Sequence, residues 1–196
     1  YLLWPLALIG LVRLVRGNLH WLAVVTVSLA AASAGLMYVL YDPADPSRVY
    51  YGTDTRAFAL LLGSSLGMLW LRHPGPRSAL ARWSVQAAGL AAVAYLMWTV
   101  HVRTALSASL YRGGLALVAV AAAALIAAAM SPGPLRRVLG VRPVAAIGLI
   151  SYGLYLWHWP IYLALTPART GLAGNGLLLP RMAVTFAVAF ASYRVV

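Results

Sequence analysis

The sequence predicts an all-α, polytopic integral membrane protein, a bundle of about seven transmembrane helices. Hydrophobic residues make up 63% of the chain and charged residues only 9%, whereas an average soluble domain has roughly 45–50% and 25%. A hydrocarbon core about 30 Å thick needs about 20 apolar residues in helical form. The 196 residues therefore leave room for about seven spans with short loops, and we expect one transmembrane domain over 1–196.

Apolar runs separated by turn-forming residues place the individual spans. The predicted helices are 1–15, 19–41, 56–71, 83–101, 113–130, 144–165 and 179–196. Between them lie Gly, Pro, Asn or polar residues, as in the loop 42–55 and the segment 131–134. Gly63 and Gly67 lie four residues apart, a spacing that predicts the close approach of a neighbouring helix.

The charges exclude several classes of function. The net charge is +12, from 15 arginines against Asp42, Asp45 and Asp54, and the chain has no Lys, Glu or Cys. In a soluble protein this excess would indicate nucleic acid. Here the arginines lie singly or in pairs between apolar runs, which indicates contact with lipid head groups and no nucleic-acid partner. Without Cys, and without a pair of His at metal-ligand spacing, we expect no metal site.

The distribution of arginines between the loops also predicts the orientation of the spans. When alternate loops are assigned to alternate sides, one side receives nine of the 15 arginines and the other receives six together with all three Asp. The richer side should be cytoplasmic. This places the loops 42–55, 102–112 and 166–178 outside, and the loops 72–82 and 131–142 inside.

The densest chemical signal is the polar and aromatic segment 151–160, SYGLYLWHWP, inside an apolar run. At about 100° per residue, Ser151, Tyr155, His158 and Tyr162 share one helix face. An ionisable residue at membrane depth usually faces a cavity or the bundle interior, which favours a functional site for His158. The alternative is an aromatic belt at the outer interface, which explains the Tyr and Trp rings equally well.

A second signal is YYGTDTR, 50–56, at the start of the third span. A guanidinium such as that of Arg56, fixed at an external helix mouth, could bind a carboxylate, a phosphate or a polarised carbonyl. Three structural alternatives remain open. Thr53 or Asp54 could cap the helix, Arg56 could pair with Asp54, or Arg56 could extend to the surface.

These segments resemble a known family. GLISYGLYLWHWP, 148–160, closely resembles the signature of the bacterial membrane-bound acyltransferase three family. YGTDTR, 51–56, with LLLG, 60–63, resembles a second motif of that family; YLLWP, 1–5, and SYR, 192–194, resemble two more. The four segments agree with the family in order and spacing across nearly the whole chain.

The resemblance implies a fold and an activity. Family members form bundles of about ten helices that move an acetyl or other acyl group from cytoplasmic acyl-CoA to a hydroxyl of an exported sugar, polysaccharide or glycolipid in the bacterial inner membrane. No cofactor is expected to be bound, and acyl-CoA, with acetyl-CoA the favoured case, is a co-substrate. The family's catalytic His, its partner Arg and an acidic residue precede Tyr1. We therefore expect a C-terminal part of an acyltransferase that is inactive alone.

Within this chain the resemblance and the shared helix face assign two groups of residues. The residues expected to serve catalysis are His158, Tyr155 and Arg56. The residues expected to bind substrate are Tyr152, Ser151, Trp157 and Asp54. A secondary transporter or channel is the alternative, because a polar stripe on a proline-containing helix can also line a permeation path. A purely structural membrane subunit would leave the concentration of Tyr, Trp and His unexplained.

Overall fold

The structure is a computed structural model that describes residues 3–104 and 107–195. Ten α-helices occur within these ranges, and the described residues include no strand. The helices are α1 (Leu3–Leu14), α2 (Leu19–Val39), α3 (Ser47–Tyr51), α4 (Thr53–Arg72), α5 (Ala79–Val102), α6 (Leu115–Met130), α7 (Pro134–Leu139), α8 (Arg142–Ala164), α9 (Pro167–Thr170) and α10 (Asn175–Val195). A wide helical turn, Leu110–Gly114, precedes α6. Residues 1 and 2 of the opening motif lie outside the described residues, as do 105 and 106 of the predicted loop 102–112.

Local signals explain where the long helices begin. The Asn18 side chain accepts hydrogen bonds from the first amides of α2, and the Ser78 side chain accepts one from Ala81 N at the start of α5. Both satisfy backbone donors that a helix N-terminus leaves free. Each predicted long helix is present, with ends that differ by a few residues. The sequence patterns missed the short helices α3, α7 and α9, which are too short for a periodic apolar face.

The chain forms two compact units, Tyr1–Arg137 and Val138–Val196. In the first unit, α2 packs against α4 through small and polar side chains. Thr26 Oγ1 lies 2.8 Å from Ser65 Oγ near one end of this pair. Near the other end, Ser33 donates to the Asp54 carbonyl and accepts from Phe58 N at 3.1 Å. Early α2 thus meets late α4, and late α2 meets early α4, so the two helices are antiparallel. Such hydroxyl contacts are typical of helices packed in lipid.

The helices α5 and α6 form the other long pair of this unit, and Gln86 connects them near the end of α6. Gln86 is 1% exposed. Its Nε2 donates to the carbonyls of Ala128 at 2.9 Å and Ser131 at 3.4 Å, and its Oε1 accepts from Leu135 N at 3.1 Å. One buried amide therefore satisfies backbone groups of α6, of the following turn and of α7.

In the second unit α8 packs against α10. Gly153 makes this possible, because a Cβ there would lie 3.3 Å from the Ala189 side chain and 3.4 Å from its backbone. Ala189 is fully buried, and Ile161, Leu177 and Thr185 are buried as well. A glycine facing an alanine lets two helix backbones approach closely, the arrangement that lipid-embedded helices favour.

Five helical segments are long and apolar enough to cross a membrane: Leu19–Val39, Ala79–Val102, Leu110–Met130, Arg142–Ala164 and Asn175–Val195. Their outward faces carry large apolar side chains, such as Leu80 at 79% exposure and Val100 at 78%. Exposed apolar surface on this scale suits lipid. The predicted all-helical fold is thus confirmed, and five of the predicted spans are candidate membrane spans by their length and composition. The helix α4 has 20 residues and α1 has 12, and their role as spans stays a prediction.

The glycine prediction was wrong for the described residues. A Cβ added at Gly63 or Gly67 would meet no atom within 4 Å. The close approach in this unit occurs instead at Gly89 of α5, where a Cβ would lie 2.4 Å from the Ala128 Cβ of α6. The spacing of small residues alone could not distinguish a contact face from an open one.

Candidate functional site

The predicted polar stripe of α8 is present as a row of rings. The His158 ring centroid lies 5.8 Å from that of Tyr155 and 6.5 Å from that of Tyr162. All three belong to one face because the residues follow at spacings of three and four. Tyr155 is 74% exposed within the chain and His158 is exposed as well. The exposed rings of Tyr155 and His158 are accessible to a ligand, whereas the Tyr162 end of the row is half-buried.

The imidazole of His158 has a defined orientation. Its Nδ1 lies 2.6 Å from the carbonyl oxygen of Tyr155. A carbonyl oxygen only accepts, so Nδ1 must hold the proton in this hydrogen bond. In the neutral ring the lone pair is then on Nε2, the nitrogen that points away from the backbone. A histidine fixed in this way can accept a proton at Nε2.

The other predicted residues of α8 differ in exposure. Tyr152 is 74% exposed. Ser151 is exposed, and its hydroxyl donates to the Gly148 carbonyl at 2.8 Å, within the same helix. Trp157 is half-buried, and its buried Nε1 has no acceptor among the described residues. Tyr152 is therefore accessible to a ligand, whereas the hydroxyl proton of Ser151 is already donated.

Arg181 of α10 extends this site, and the sequence patterns did not single it out. Its Nε donates to the Leu165 carbonyl at 2.9 Å and one terminal nitrogen donates to the Tyr162 carbonyl at 3.3 Å. Its guanidinium carbon lies 4.5 Å from the centroid of the Tyr162 ring. Arg181 thus satisfies the last carbonyls of α8, where a positive charge also complements the helix dipole. The signal was a lone arginine directly after Pro180, which sequence alone could not connect to α8.

In the first unit, Asp54 is paired with a residue that the sequence analysis did not propose. Two nitrogens of Arg48 donate to the two Asp54 carboxylate oxygens at 3.0 and 2.7 Å. These hydrogen bonds lower the pKa of Asp54 below its ordinary value and raise the pKa of Arg48. The alternative in which Asp54 pairs with Arg56 is wrong, because Arg48 from α3 contacts both carboxylate oxygens.

The alternative in which Thr53 or Asp54 caps α4 is also wrong. The N-cap residue is Gly52, and no side chain caps the helix. Thr55 instead donates to the carbonyls of Val49 and Gly52, both at 2.9 Å. This threonine therefore fixes the turn between α3 and α4, and a short helix that the sequence did not reveal brings Arg48 to Asp54.

Arg56 is exposed, and its guanidinium carbon lies 5.3 Å from the centroid of the Tyr50 ring. Its guanidinium makes no hydrogen bond to any residue that the structure describes. Stacking on an aromatic face leaves the edge donors of a guanidinium available. Arg56 can therefore bind a carboxylate, a phosphate or a developing oxyanion while its orientation is held by Tyr50.

A pair of stacked aromatic rings lies at the same end of the first unit as the start of α4. The rings of Tyr41 and Tyr111 are stacked with their centroids 5.1 Å apart, and the Arg112 guanidinium carbon lies 5.6 Å from the Tyr41 centroid. Gly113 adopts a φ of 104°, a left-handed conformation that favours glycine, and it turns the chain into α6. Tyrosines and arginines thus line the end of the unit that contains all three Asp.

The fold and these sites define a helical membrane protein with a fixed histidine on one span and an exposed, ring-stacked arginine at a helix mouth. Comparison with curated relatives describes this class more narrowly. The chain is 37% identical to the peptidoglycan O-acetyltransferase OatA of Listeria monocytogenes over 99% of its own length. It is 35% identical to the O-acetyltransferase OatA of Staphylococcus aureus over 82%, and 37% identical to YrhL of Bacillus subtilis over 86%. Over most of its length the chain is homologous to these O-acetyltransferases, which are members of the acyltransferase three family that its motifs resemble.

The chain spans about a third of the length of these relatives: 32% of the Listeria protein and 27% of the other two. No family model matches the chain. No solved structure matches it either. The relatives are O-acetyltransferases by name, and most of their length lies outside the aligned region.

Proposed function

We propose that this chain is part of an integral membrane O-acyltransferase that transfers an acetyl group from acetyl-CoA to a hydroxyl of a cell-wall glycan outside the membrane. The orientation of His158 is the observation that carries the proposal, because a fixed imidazole with a free Nε2 can bind an acceptor hydroxyl and support the base that acyl transfer needs. Relatedness to O-acetyltransferases over most of the chain supports the reaction class, and the peptidoglycan named for the Listeria relative supports the acceptor.

The reaction assigns a role to each residue. The acceptor oxygen attacks the thioester carbonyl, its proton passes to the catalytic His that the family resemblance assigns to another part of the protein, and the CoA thiolate leaves and takes up a proton. His158 supports this base and binds the acyl donor or acceptor through Nε2. Tyr155 holds the imidazole through its carbonyl oxygen. Arg56 binds a carboxylate or phosphate of a substrate at the start of α4. Tyr152 and Trp157 bind the sugar through their rings, as aromatic residues in carbohydrate sites do.

The geometry changes the roles assigned to Ser151 and Asp54. Ser151 acts as an acceptor from a sugar hydroxyl, because its own proton is donated to Gly148. Asp54 fixes Arg48 and so shapes the mouth of α4, and it contacts substrate only through an oxygen lone pair that Arg48 leaves free. Both roles belong to substrate binding, as the sequence predicted.

The proposal includes the membrane arrangement. The seven predicted spans form the C-terminal part of a bundle of about ten helices in the bacterial inner membrane, as one domain over 1–196. The arginine-rich ends of the loops 72–82 and 131–142 face the cytoplasm. The chain spans about a third of its curated relatives, and the family resemblance assigns the catalytic His and its partner Arg to another part of the protein, so this chain alone is expected to be inactive.

The test uses the complete protein that contains this chain. We expect His158→Ala to lower acetyl transfer per folded molecule by at least about tenfold, or roughly 1.4 kcal/mol of transition-state stabilisation. The matched control is His101→Ala, since His101 is also an exposed histidine near a helix end. Transfer is followed as labelled acetyl appearing on a glycan acceptor, and folded protein is counted by monodisperse elution in detergent.

Three outcomes separate the possible roles of His158. Loss of turnover with normal folding supports a role in the site. A parallel loss of folded protein and activity would mean that His158 serves packing. Unchanged specific activity would mean an interfacial aromatic belt, and His158 would no longer belong to the site.

A further inference from the structure

A cavity lies at one end of the first unit, opposite to the end that contains Asp42, Asp45 and Asp54. It has a volume of about 280 Å³ and is lined by Arg82, Trp83, Gln86, Pro132, Gly133, Pro134 and Arg137. The first residues of α5 form one wall, and the turn after α6 together with α7 forms the other. Both walls lie within the unit Tyr1–Arg137.

The floor of this cavity is fixed. Gln86 is buried and holds the turn through three backbone hydrogen bonds. Gly133 lies so close to it that an added Cβ would be 2.3 Å from the Gln86 side chain. Pro132 and Pro134 restrict the backbone on either side of this glycine. Because the residues of the floor are already held in place, little conformational entropy is lost when a ligand binds in the cavity.

The charge of the cavity is unbalanced. The side chains of Arg82 and Arg137 are exposed, and neither makes a hydrogen bond or ion pair with any residue that the structure describes. No carboxylate of this chain can neutralise them, because all three Asp lie in the segment 42–54, at the opposite end of the unit. Arginine prefers planar, bidentate contact with phosphate or carboxylate oxygens.

We propose that this cavity binds a phosphate group, with Arg82 and Arg137 as its two cationic ligands. The volume suits a phosphate or diphosphate group rather than a whole nucleotide, and the exposed indole of Trp83 at the rim offers a flat surface for an attached ring. The ligand is the phosphate portion of CoA. This identity rests on the proposed function, whereas the phosphate chemistry does not. An anionic lipid head group is the other source of the same chemistry.

The experiment measures binding, so that it is independent of turnover. The complete protein is placed in nanodiscs of phosphatidylcholine alone, and CoA is titrated in with inorganic pyrophosphate as competitor. We expect Arg82→Gln and Arg137→Gln each to weaken CoA binding by at least about tenfold. Arg136→Gln is the matched control, because Arg136 lies on the same short helix and does not line the cavity; it should change binding less than about twofold.

A second arm distinguishes the source of the phosphate. Nanodiscs containing phosphatidylglycerol are analysed by native mass spectrometry for retained lipid. Loss of retained lipid in Arg82→Gln with unchanged CoA binding would support the phosphate site and assign it to a lipid head group. Arg82→Lys keeps the charge and should retain part of the binding, which separates lost recognition from lost folding.

The proposal is overturned if both glutamine variants bind CoA and retain lipid as the wild type does, or if Arg136→Gln weakens binding as strongly as they do. Failure of the proposed function looks different. In that case His158→Ala leaves acetyl transfer unchanged, or no transfer is found, while the arginine variants still lose phosphate binding.

Discussion

Gln86 offers a quantitative test of how this membrane fold is held together. Replacement by leucine keeps the side-chain volume nearly constant, so that a cavity contributes little. It removes one buried amide that donates to two carbonyls and accepts from one backbone N–H. The energetic effect of Gln86→Leu therefore reports on these hydrogen bonds.

The expected loss of stability depends on which hydrogen-bond partners each backbone group keeps after the substitution. The Leu135 amide loses its acceptor while it is buried, which costs about 1–3 kcal/mol. The Ala128 carbonyl still accepts from Ser131 N at 3.3 Å, so its loss is closer to an ordinary net hydrogen bond, about 0.5–1.5 kcal/mol. We expect Gln86→Leu to lower the free energy of unfolding by about 2–4 kcal/mol in total.

The assay is reversible unfolding in mixed detergent micelles, with the free energy extrapolated to native conditions. Ser84→Ala is the control, because Ser84 lies on the same helix and its exposed hydroxyl, among the described residues, bonds only to the Leu80 carbonyl. The control should change stability by less than about 0.5 kcal/mol. A Gln86→Leu variant as stable as the wild type would refute the conclusion that this amide joins α5 to the turn after α6.

Two further predictions use close contacts and charge. Gly89→Ala places a methyl group 2.4 Å from a side-chain carbon of α6 and should destabilise by about 1–3 kcal/mol, whereas Gly63→Ala meets no described atom and should be neutral or slightly stabilising in the same unfolding assay. Because Arg48 lowers the pKa of Asp54 below 3.8, the pair stabilises the fold fully above that value and loses its effect as the pH falls through the lower folded-state pKa. The stability difference between wild type and Asp54→Asn should therefore be present at neutral pH and shrink in strong acid; a difference that persists unchanged there would contradict the pairing.

Most of the helical architecture could be predicted from sequence because the solvent is lipid. Each long apolar run must form a helix in order to satisfy its own backbone, so composition and turn residues were sufficient. The faces through which the helices contact one another were harder to predict from sequence. The polar residues Thr26 and Ser65 meet across α2 and α4, but an isolated hydroxyl in an apolar run does not reveal which neighbour it contacts.

The site was predictable where its residues are close in sequence. The row of Tyr155, His158 and Tyr162 follows directly from helical spacing, and the structure has it. Arg181 and Arg48 were missed because each acts across a turn on another helix, Arg181 on the end of α8 and Arg48 on the start of α4. A long, flexible side chain gives no periodic signal, and its partner depends on tertiary geometry.

The distribution of charge separates the two ends of the first unit more sharply than the apolar pattern does. At one end, carboxylates and arginines occur together, and one pair, Arg48 and Asp54, is bidentate. The end that contains the cavity has arginines without any carboxylate. Exposed cations without internal partners cost little in stability near anionic lipid or a phosphate ligand, and they repel one another elsewhere. Anions that occupy this end must therefore come from outside the chain, which is the condition that the proposed phosphate site requires.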